Sequence, residues 1–208
     1  MRSRILSTLC FISVLVGQPF FNQNTLTTSV SGPIDVFAID IDGDSDIDIL
    51  SASSYDDKIA WYENDGTGSF TQNVISTSAD DVYSVFAIDI DGDSDIDVLS
   101  ASANDDKIVW YENDGSENFT SYTIATSDNP KSVYAIDIDG DGDIDVLSAS
   151  EGNTYINWYE NNGSETFTSR VISTNTATNS NRAIVPFDAD GDTDIDVISV
   201  SQGDQRLY

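Results

Sequence analysis

The chain has 208 residues, of which 39% are hydrophobic and 10% aromatic, enough for a packed core despite a formal net charge of −29. That charge argues against nucleic acid or an anionic membrane as a partner, because phosphate binding depends on Lys and Arg. Histidine is absent, which removes the commonest general base and zinc ligand, and the single Cys10 rules out an internal disulfide framework.

At the start, Arg2 and Arg4 precede an apolar run from Ile5 to Val16 that is too short to span a bilayer comfortably. This is the pattern of a secretory signal, expected over residues 1–18, and it takes Cys10 with it. The segment Phe21-Asn-Gln-Asn-Thr-Leu-Thr-Thr-Ser29 then lines up with Phe70-Thr-Gln-Asn-Val-Ile-Ser-Thr-Ser78. Residues 20–29 are therefore expected to form a lone strand that closes a later sheet.

One period of the chain follows. Val36-Phe-Ala-Ile39 reads as a first strand, and Ile47-Asp-Ile-Leu-Ser-Ala52 as a second, β-branched at its start. Lys58-Ile-Ala-Trp-Tyr62 is a third, with Ile59 and Trp61 on one face, and Phe70 to Ser76 is a fourth. Between the last two, Asn64-Asp65-Gly66 supplies the positive φ that a hairpin needs. No segment sustains a 3.6-residue period, so no helix is expected beyond the signal.

Between the first and second strands lies a nine-residue acidic loop, and it occurs four times. The copies are Asp40, Asp42, Asp44, Asp46 and Asp48; Asp89, Asp91, Asp93, Asp95 and Asp97; Asp137, Asp139, Asp141, Asp143 and Asp145; and Asp188, Asp190, Asp192, Asp194 and Asp196. These 20 aspartates, at loop positions 1, 3, 5, 7 and 9, are over half of the 37 acidic residues, so the charge is periodic rather than a general solubilising coat. Five carboxylates in nine residues repel one another unless a cation sits among them. A hard cation such as Ca²⁺ takes six to eight oxygens, and alternating Asp on a curled loop supplies them. About one Ca²⁺ per loop is expected.

These loops are not EF-hands. Glycine stands at position 4 (Gly43, Gly92, Gly140, Gly191), and position 12 is Ser51, Ser100, Ser148 or Ser199 where an EF-hand needs Glu. The loop closes instead on the Asp at position 9, where the second strand begins. Side chains at positions 1, 3, 5 and 9 would ligate, with the backbone carbonyl of position 7, leaving Asp46, Asp95, Asp143 and Asp194 as outward-pointing accessory charges. Ile47, Ile96, Ile144 and Ile195 at position 8 would point the other way, into the blade core.

A second landmark keeps step: Trp61-Tyr-Glu-Asn-Asp-Gly66, Trp110-Tyr-Glu-Asn-Asp-Gly115 and Trp158-Tyr-Glu-Asn-Asn-Gly163. Four antiparallel strands in a tandem period of about 49 residues make the fold class all-β, a β-propeller of four-stranded blades. The blades are expected over about 33–80, 82–129 and 131–178, with a partial blade over 182–208. A fourth Trp would fall just past Tyr208, so the chain reads as an N-terminal segment of a longer propeller, the alternative being a closed four-bladed ring. Pro186 stands where the other first strands carry Ala, which requires that strand to be an edge.

The pattern Asp-x-Asp-Gly-Asp-x-x-Ile-Asp followed by an apolar strand resembles the FG-GAP/VCBS repeats of integrin-like β-propellers, in their secreted bacterial form. The resemblance covers residues 20–208. It implies a seven-bladed ring, one calcium per loop and a secreted or cell-surface location. Members often carry Asn at position 3 and Gly at position 6. This chain has Asp at every position 3, and Ser45, Ser94 and Thr193 at position 6, with only Gly142 matching.

The function expected is a binding or scaffold module for a protein or glycan ligand, not an enzyme. The alternatives are a carbohydrate-binding lectin or the propeller of a secreted polysaccharide-degrading enzyme. Every conspicuous Asp is explained by metal, and Glu63, Glu112 and Glu160 recur once per blade, as structural residues do. No catalytic residue is therefore assigned. Trp61, Trp110 and Trp158 would stack on sugars in a lectin, but their apolar strand faces suit filling the space between blades.

Overall fold

The computed structural model describes residues 25–153, 155–174, 181–202 and 206–207. The signal expected over 1–18 lies outside them. Of the strand expected over 20–29, residues 25–29 are described and carry no strand.

The strands of each period form one antiparallel sheet in sequence order, four strands in each of the first three and three in the last. The first comprises β1 (Pro33–Ile39), β2 (Asp48–Ser53), β3 (Lys58–Asn64) and β4 (Phe70–Ser76). The second comprises β5 (Val82–Ile88), β6 (Asp97–Ser102), β7 (Lys107–Asn113) and β8 (Phe119–Thr126). The third comprises β9 (Pro130–Ile136), β10 (Asp145–Ser150), β11 (Tyr155–Asn161) and β12 (Phe167–Thr174), and the fourth β13 (Asn181–Phe187), β14 (Asp196–Ser201) and β15 (Arg206–Leu207). No helix occurs among the described residues.

Register sorts the apolar residues of each sheet into two rows on opposite faces. Leu50 pairs with Phe37 and with Trp61, and Leu99 pairs with Phe86 and Trp110 in the next sheet. One residue along, Val98 pairs with Ala87 and Tyr111, and Val146 with Ala135 and Tyr159. The core forms where the first row of one blade meets the second row of the next. Leu50, Ala52, Ile59 and Trp61 pack with Val85, Ala87, Val98 and Tyr111, and Leu99, Ala101 and Trp110 pack with Val133, Val146 and Tyr159. The third interface joins Leu147, Ala149 and Ile156 to Ile184. The hydrophobic core thus lies between blades, not within them.

The first strands are edges of their sheets and neighbour one another in the order β1, β5, β9, β13. Their aromatic rings make a ladder, with Phe37 to Phe86 at 4.8 Å and Phe86 to Tyr134 at 4.4 Å between centroids. Side chains link each edge to the next: Val85 N–H donates to Asp35 Oδ2 (3.0 Å), Val133 N–H to Ser84 Oγ (3.4 Å) and Ile184 N–H to Ser132 Oγ (3.4 Å). Pro186 is tolerated because β13 is such an edge.

The described residues do not close into a four-bladed ring. Val36 is 66% exposed on the first blade, whereas its counterparts Val85 and Val133 are 3% exposed, and Val185 and Phe187 are exposed on the last. Among the described residues the outer faces of the first and last sheets are uncovered.

Candidate metal centre

Each acidic loop is wired by its own carboxylates. In the first, Asp40 accepts from Gly43 N–H through Oδ1 (2.8 Å) and from Ser45 N–H through Oδ2 (2.9 Å). Asp42 accepts from Asp44 N–H (3.1 Å), and Asp44 from Asp46 N–H (2.8 Å). The other three loops repeat these bonds, so successive backbone amides turn inward. The curl places positions 4 and 6 in the left-handed region: φ is 76° at Gly43 and 78° at Ser45, 81° at Gly92 and 82° at Ser94, 82° at Gly191 and 80° at Thr193. Where position 6 is not glycine, an L side chain occupies a conformation that costs energy.

Position 9 is fixed from two sides. Asp48 Oδ2 accepts from Ile41 N–H (2.9 Å), and its Oδ1 accepts from Asn64 N–H at the end of β3 (2.8 Å). Asp97 receives Ile90 and Asn113 in the same way, and Asp145 receives Ile138 and Asn161. These three aspartates are essentially inaccessible to solvent. Asp196 accepts from Ala189 N–H and is exposed, and among the described residues no third-strand amide is recorded donating to it.

This wiring brings positions 1, 3 and 9 together. Asp40, Asp42 and Asp48 each present a carboxylate oxygen, all within 4.8 Å of one another, as do Asp89, Asp91 and Asp97; Asp137, Asp139 and Asp145; and Asp188, Asp190 and Asp196. Asp44 lies near enough for its charge to act on Asp42 and Asp48, but it is not within that triad. Burial pushes the carboxyls of Asp42, Asp48, Asp91, Asp139 and Asp145 above their ordinary range, and neighbouring carboxylates add to it. Asp97, most deeply enclosed, is pushed up to about 7, chiefly by burial and against the pull of the Asn113 and Ile90 amides.

Three carboxylates at that separation could hold a cation, and the donors are all oxygen. No imidazole exists in the chain, so the chemistry of the set fits a hard cation such as Ca²⁺ and not zinc.

Position 7 differs from expectation. The side chains of Asp46, Asp95 and Asp143 do not point outward: an added Cβ at Gly66, Gly115 or Gly163 would run into their carboxylates. They rest on the Asn-Asp-Gly or Asn-Asn-Gly turn, and only Asp194 is exposed. Position 8 differs too. Ile96 and Ile144 join the interfaces with the preceding blade, while Ile41 and Ile90 at position 2 join those with the following one. The loop is wedged between blades, and Ile47, with no described blade before it, is 53% exposed.

The residues that composition alone did not single out are Asn64, Asn113 and Asn161. Besides the amide to position 9, each Nδ2 donates to the position 8 carbonyl, at 3.1 Å, 3.2 Å and 3.1 Å. A constant offset of 16 residues from position 9 to Asn was visible in the sequence as the second landmark. Trp61 and Trp110 are buried between blades and unavailable for stacking on a sugar; Trp158 is half-buried, with Arg170 over its ring at 5.4 Å.

A family model described as FG-GAP-like repeat matches residues 40–100, 89–148 and 137–199, each span running from one loop through the next. The chain belongs to the FG-GAP-like repeat family. Among solved structures it is similar to the V. cholerae biofilm matrix protein Bap1, with 21% identity and a TM-score of 0.46, over 86% of this chain and 30% of that one. No curated protein matches. In FG-GAP terms, each matched span holds two loops and the blade interface between them.

Proposed function

We propose that the chain is a calcium-stabilised FG-GAP propeller module of an exported protein, and that it binds or scaffolds a protein or glycan without catalysing a reaction. The observation that carries this reading is the convergence of the position 1, 3 and 9 carboxylates in every loop, three of the four capped by a buried Asp. Positions 1, 3, 5 and 9 would hold the cation through side chains, and position 7 through its backbone carbonyl. When bound, Ca²⁺ supplies the positive charge that lets those carboxylates stay ionised. The protein's part is to hold them: Asn64, Asn113 and Asn161 tie the loop to the third strand, and Ile41 and Ile90 tie it to the next blade.

Residues 1–18 act as the signal and 20–208 as the propeller, three full blades and a partial fourth of a ring of about seven. Secretion suits the metal, because extracellular modules bind Ca²⁺ at roughly 10⁻⁴ to 10⁻³ M. At ten times the dissociation constant each ion contributes about 1.4 kcal/mol, roughly 6 kcal/mol for four, comparable to a domain's net stability. The net charge of −29 keeps nucleic acid away. Glu63 and Glu160 have structural partners, accepting from Asn73 and pairing with Arg170.

Calorimetric titration with CaCl₂ tests this reading. It expects about one ion per loop and a lower melting temperature in chelator. No bound ion, or a melting temperature indifferent to chelator, overturns it.

A further inference from the structure

The end of the second blade away from its acidic loop carries polar atoms that the fold itself leaves unmatched. A cavity of about 100 Å³ opens there between the first two blades. Buried around it are Ser102 at the end of β6, Val109 on β7, and Ala79 from the connection between the blades. Asp105 and Lys107 flank it, and their ion pair (2.8 Å) uses only Asp105 Oδ2. Asp105 Oδ1 and Ser102 Oγ are both buried without a hydrogen-bond partner, and Ser102 as a whole is 1% exposed. Such atoms are rare and costly in a folded chain, so two of them at one cavity mark a place for an outside donor.

The next blade shows the matched version of the same place. At the second gap Ser127 stands where Ala79 does, and Asn157 where Val109 does. Ser127 Oγ shares a hydrogen bond with Ser150 Oγ, the counterpart of Ser102, and accepts from Asn157 Nδ2 (3.4 Å). Asn153 and Tyr155 replace Asp105 and Lys107. The third blade thus closes the place with its own side chains, whereas the second keeps an apolar wall where they would reach. The first blade repeats the unmatched set: Ser53 Oγ and Asp56 Oδ1 are buried without a partner, and Lys58 pairs with Asp56 at 3.0 Å. Ser-x-x-Asp-x-Lys is therefore a motif of the first two blades, and among the described residues its second copy is the one lying between two blades.

We propose that this cavity binds a sugar residue of a glycan, an inference that rests on reading the chain as a binding module and names the class of its ligand. The Asp105–Lys107 pair cancels its own charge, so a charged ligand gains little there. A sugar hydroxyl can donate to Asp105 Oδ1 and can meet Ser102 Oγ as donor or acceptor. Ser121 and Thr123, exposed at the mouth, extend the row of hydroxyls, and Ala79 and Val109 offer an apolar surface to the C–H groups of the ring. The volume admits one edge of a hexose and leaves the rest at the mouth, so a monosaccharide binds weakly, at roughly millimolar concentration.

Amide NMR of the 208-residue chain in calcium, titrated with glucose, galactose, mannose and separately methylammonium, tests this. At least one hexose should shift the Ser102, Asp105 and Lys107 resonances, and Ser102→Ala and Asp105→Asn should each weaken that binding at least about tenfold. Removing an unmatched buried hydroxyl takes no bond from the free protein, so Ser102→Ala should leave the melting temperature unchanged. Ala79→Ser with Val109→Asn, which copies the closure of the third blade, should abolish binding in a folded protein. The proposal is overturned if no hexose moves those resonances, or if the double variant binds as well as the wild type. A lower melting temperature for Ser102→Ala also overturns it and assigns the place to a structural water. Shifts with methylammonium alone do the same and point to a lysine of a protein partner. Calcium loading of the acidic loops is read separately by calorimetry, so a failure of this site is distinct from a failure of the metal reading.

Discussion

Asn113, the last residue of β7, donates its backbone N–H to Asp97 Oδ1 at 2.8 Å, joining the third strand of the second blade to the residue that closes its acidic loop. Its side chain bonds the same loop again, through Nδ2 to the Ile96 carbonyl (3.2 Å), and accepts from Gly115 N–H (3.2 Å). The two repeated motifs of this chain are therefore one structural unit. Replacing Asn113 by Ala keeps the amide but strands the Ile96 carbonyl in a half-buried position. The expected cost is about 1–3 kcal/mol in urea unfolding. Calcium affinity at that loop should fall roughly 10- to 100-fold, the usual effect of losing a partner behind the ligands. Equal affinity in calorimetry would detach the motif from the metal.

Asp97, the carboxyl raised furthest, weighs most in the pH dependence of the calcium-free protein, and Asp42, Asp48, Asp91, Asp139 and Asp145 act in the same sense. At Asp97 the folded-state value of about 7 lies above the ordinary carboxyl value of 3.8, so the folded chain holds a proton that the unfolded chain has released. Between about pH 4 and pH 7 stability therefore falls as pH rises, by as much as a few kcal/mol. Asp65 and Asp114, held low by local hydrogen bonds, act in the opposite sense only at lower pH. In chelator the melting temperature should be higher at pH 5 than at pH 7.5, and Asp97→Asn should reduce the difference. With calcium the trend reverses, because protons compete for the ligands. A calcium-free protein that gains stability from pH 5 to pH 7.5 contradicts this assignment.

The second glycine of the family loop is missing from three copies, and the backbone has not adapted. Ser45, Ser94 and Thr193 all keep the left-handed φ that Gly142 adopts at 98°. Thr193 is the worst placed, since a β-branched residue tolerates that region least. Ser94→Gly should stabilise by about 0.5–1 kcal/mol, and Thr193→Gly by somewhat more, after allowing for the greater freedom of unfolded glycine. Denaturation midpoints read the effect directly; a loss of stability at both positions would show that the side chain matters more than the backbone.

Two glycines of one blade answer differently to alanine. Gly92 has open space where a Cβ would stand, so Gly92→Ala pays only for its φ of 81°, about 1–2 kcal/mol. At Gly115 the φ of 71° is joined by a collision with the Asp95 carboxylate, so Gly115→Ala should cost clearly more and displace the loop. Restoring stability with Gly115→Ala plus Asp95→Ala would assign the excess to that contact, whereas additive losses would deny it.

Much of this was legible in the sequence. The period, four strands per blade, the edge position forced by Pro186 and the composition of each loop all follow from local chemistry. What was not legible depends on the neighbour that a face meets. Alternation in β2 and β6 says which residues share a face, but not whether that face meets its own blade or the next. Position 8 isoleucine was therefore expected in a core inside the blade, and Ile96 instead packs against the blade before it. Position 7 was misplaced for a similar reason: Asp95 meets Gly115 only because β6 and β7 return the chain to the loop, 20 residues on.

The tryptophans offer a direct report of metal loading. The indole nitrogens of Trp110 and Trp158 are buried without a full hydrogen bond, yet lie near enough to Asp97 and Asp145 to hold those carboxyls down. A cation that draws those carboxylates into its shell changes the charge facing each indole. Calcium should therefore shift the intrinsic emission, saturating with the stoichiometry seen by calorimetry, and chelator should reverse it. Asp97→Asn should remove the Trp110 part of the response and leave the Trp158 part. A sugar that changed emission without calcium would point to an exposed indole, which the burial of Trp61 and Trp110 excludes for those two. An emission spectrum indifferent to calcium, in a protein that calorimetry shows to bind it, would place the ion away from position 9 and break the link between loop and strand.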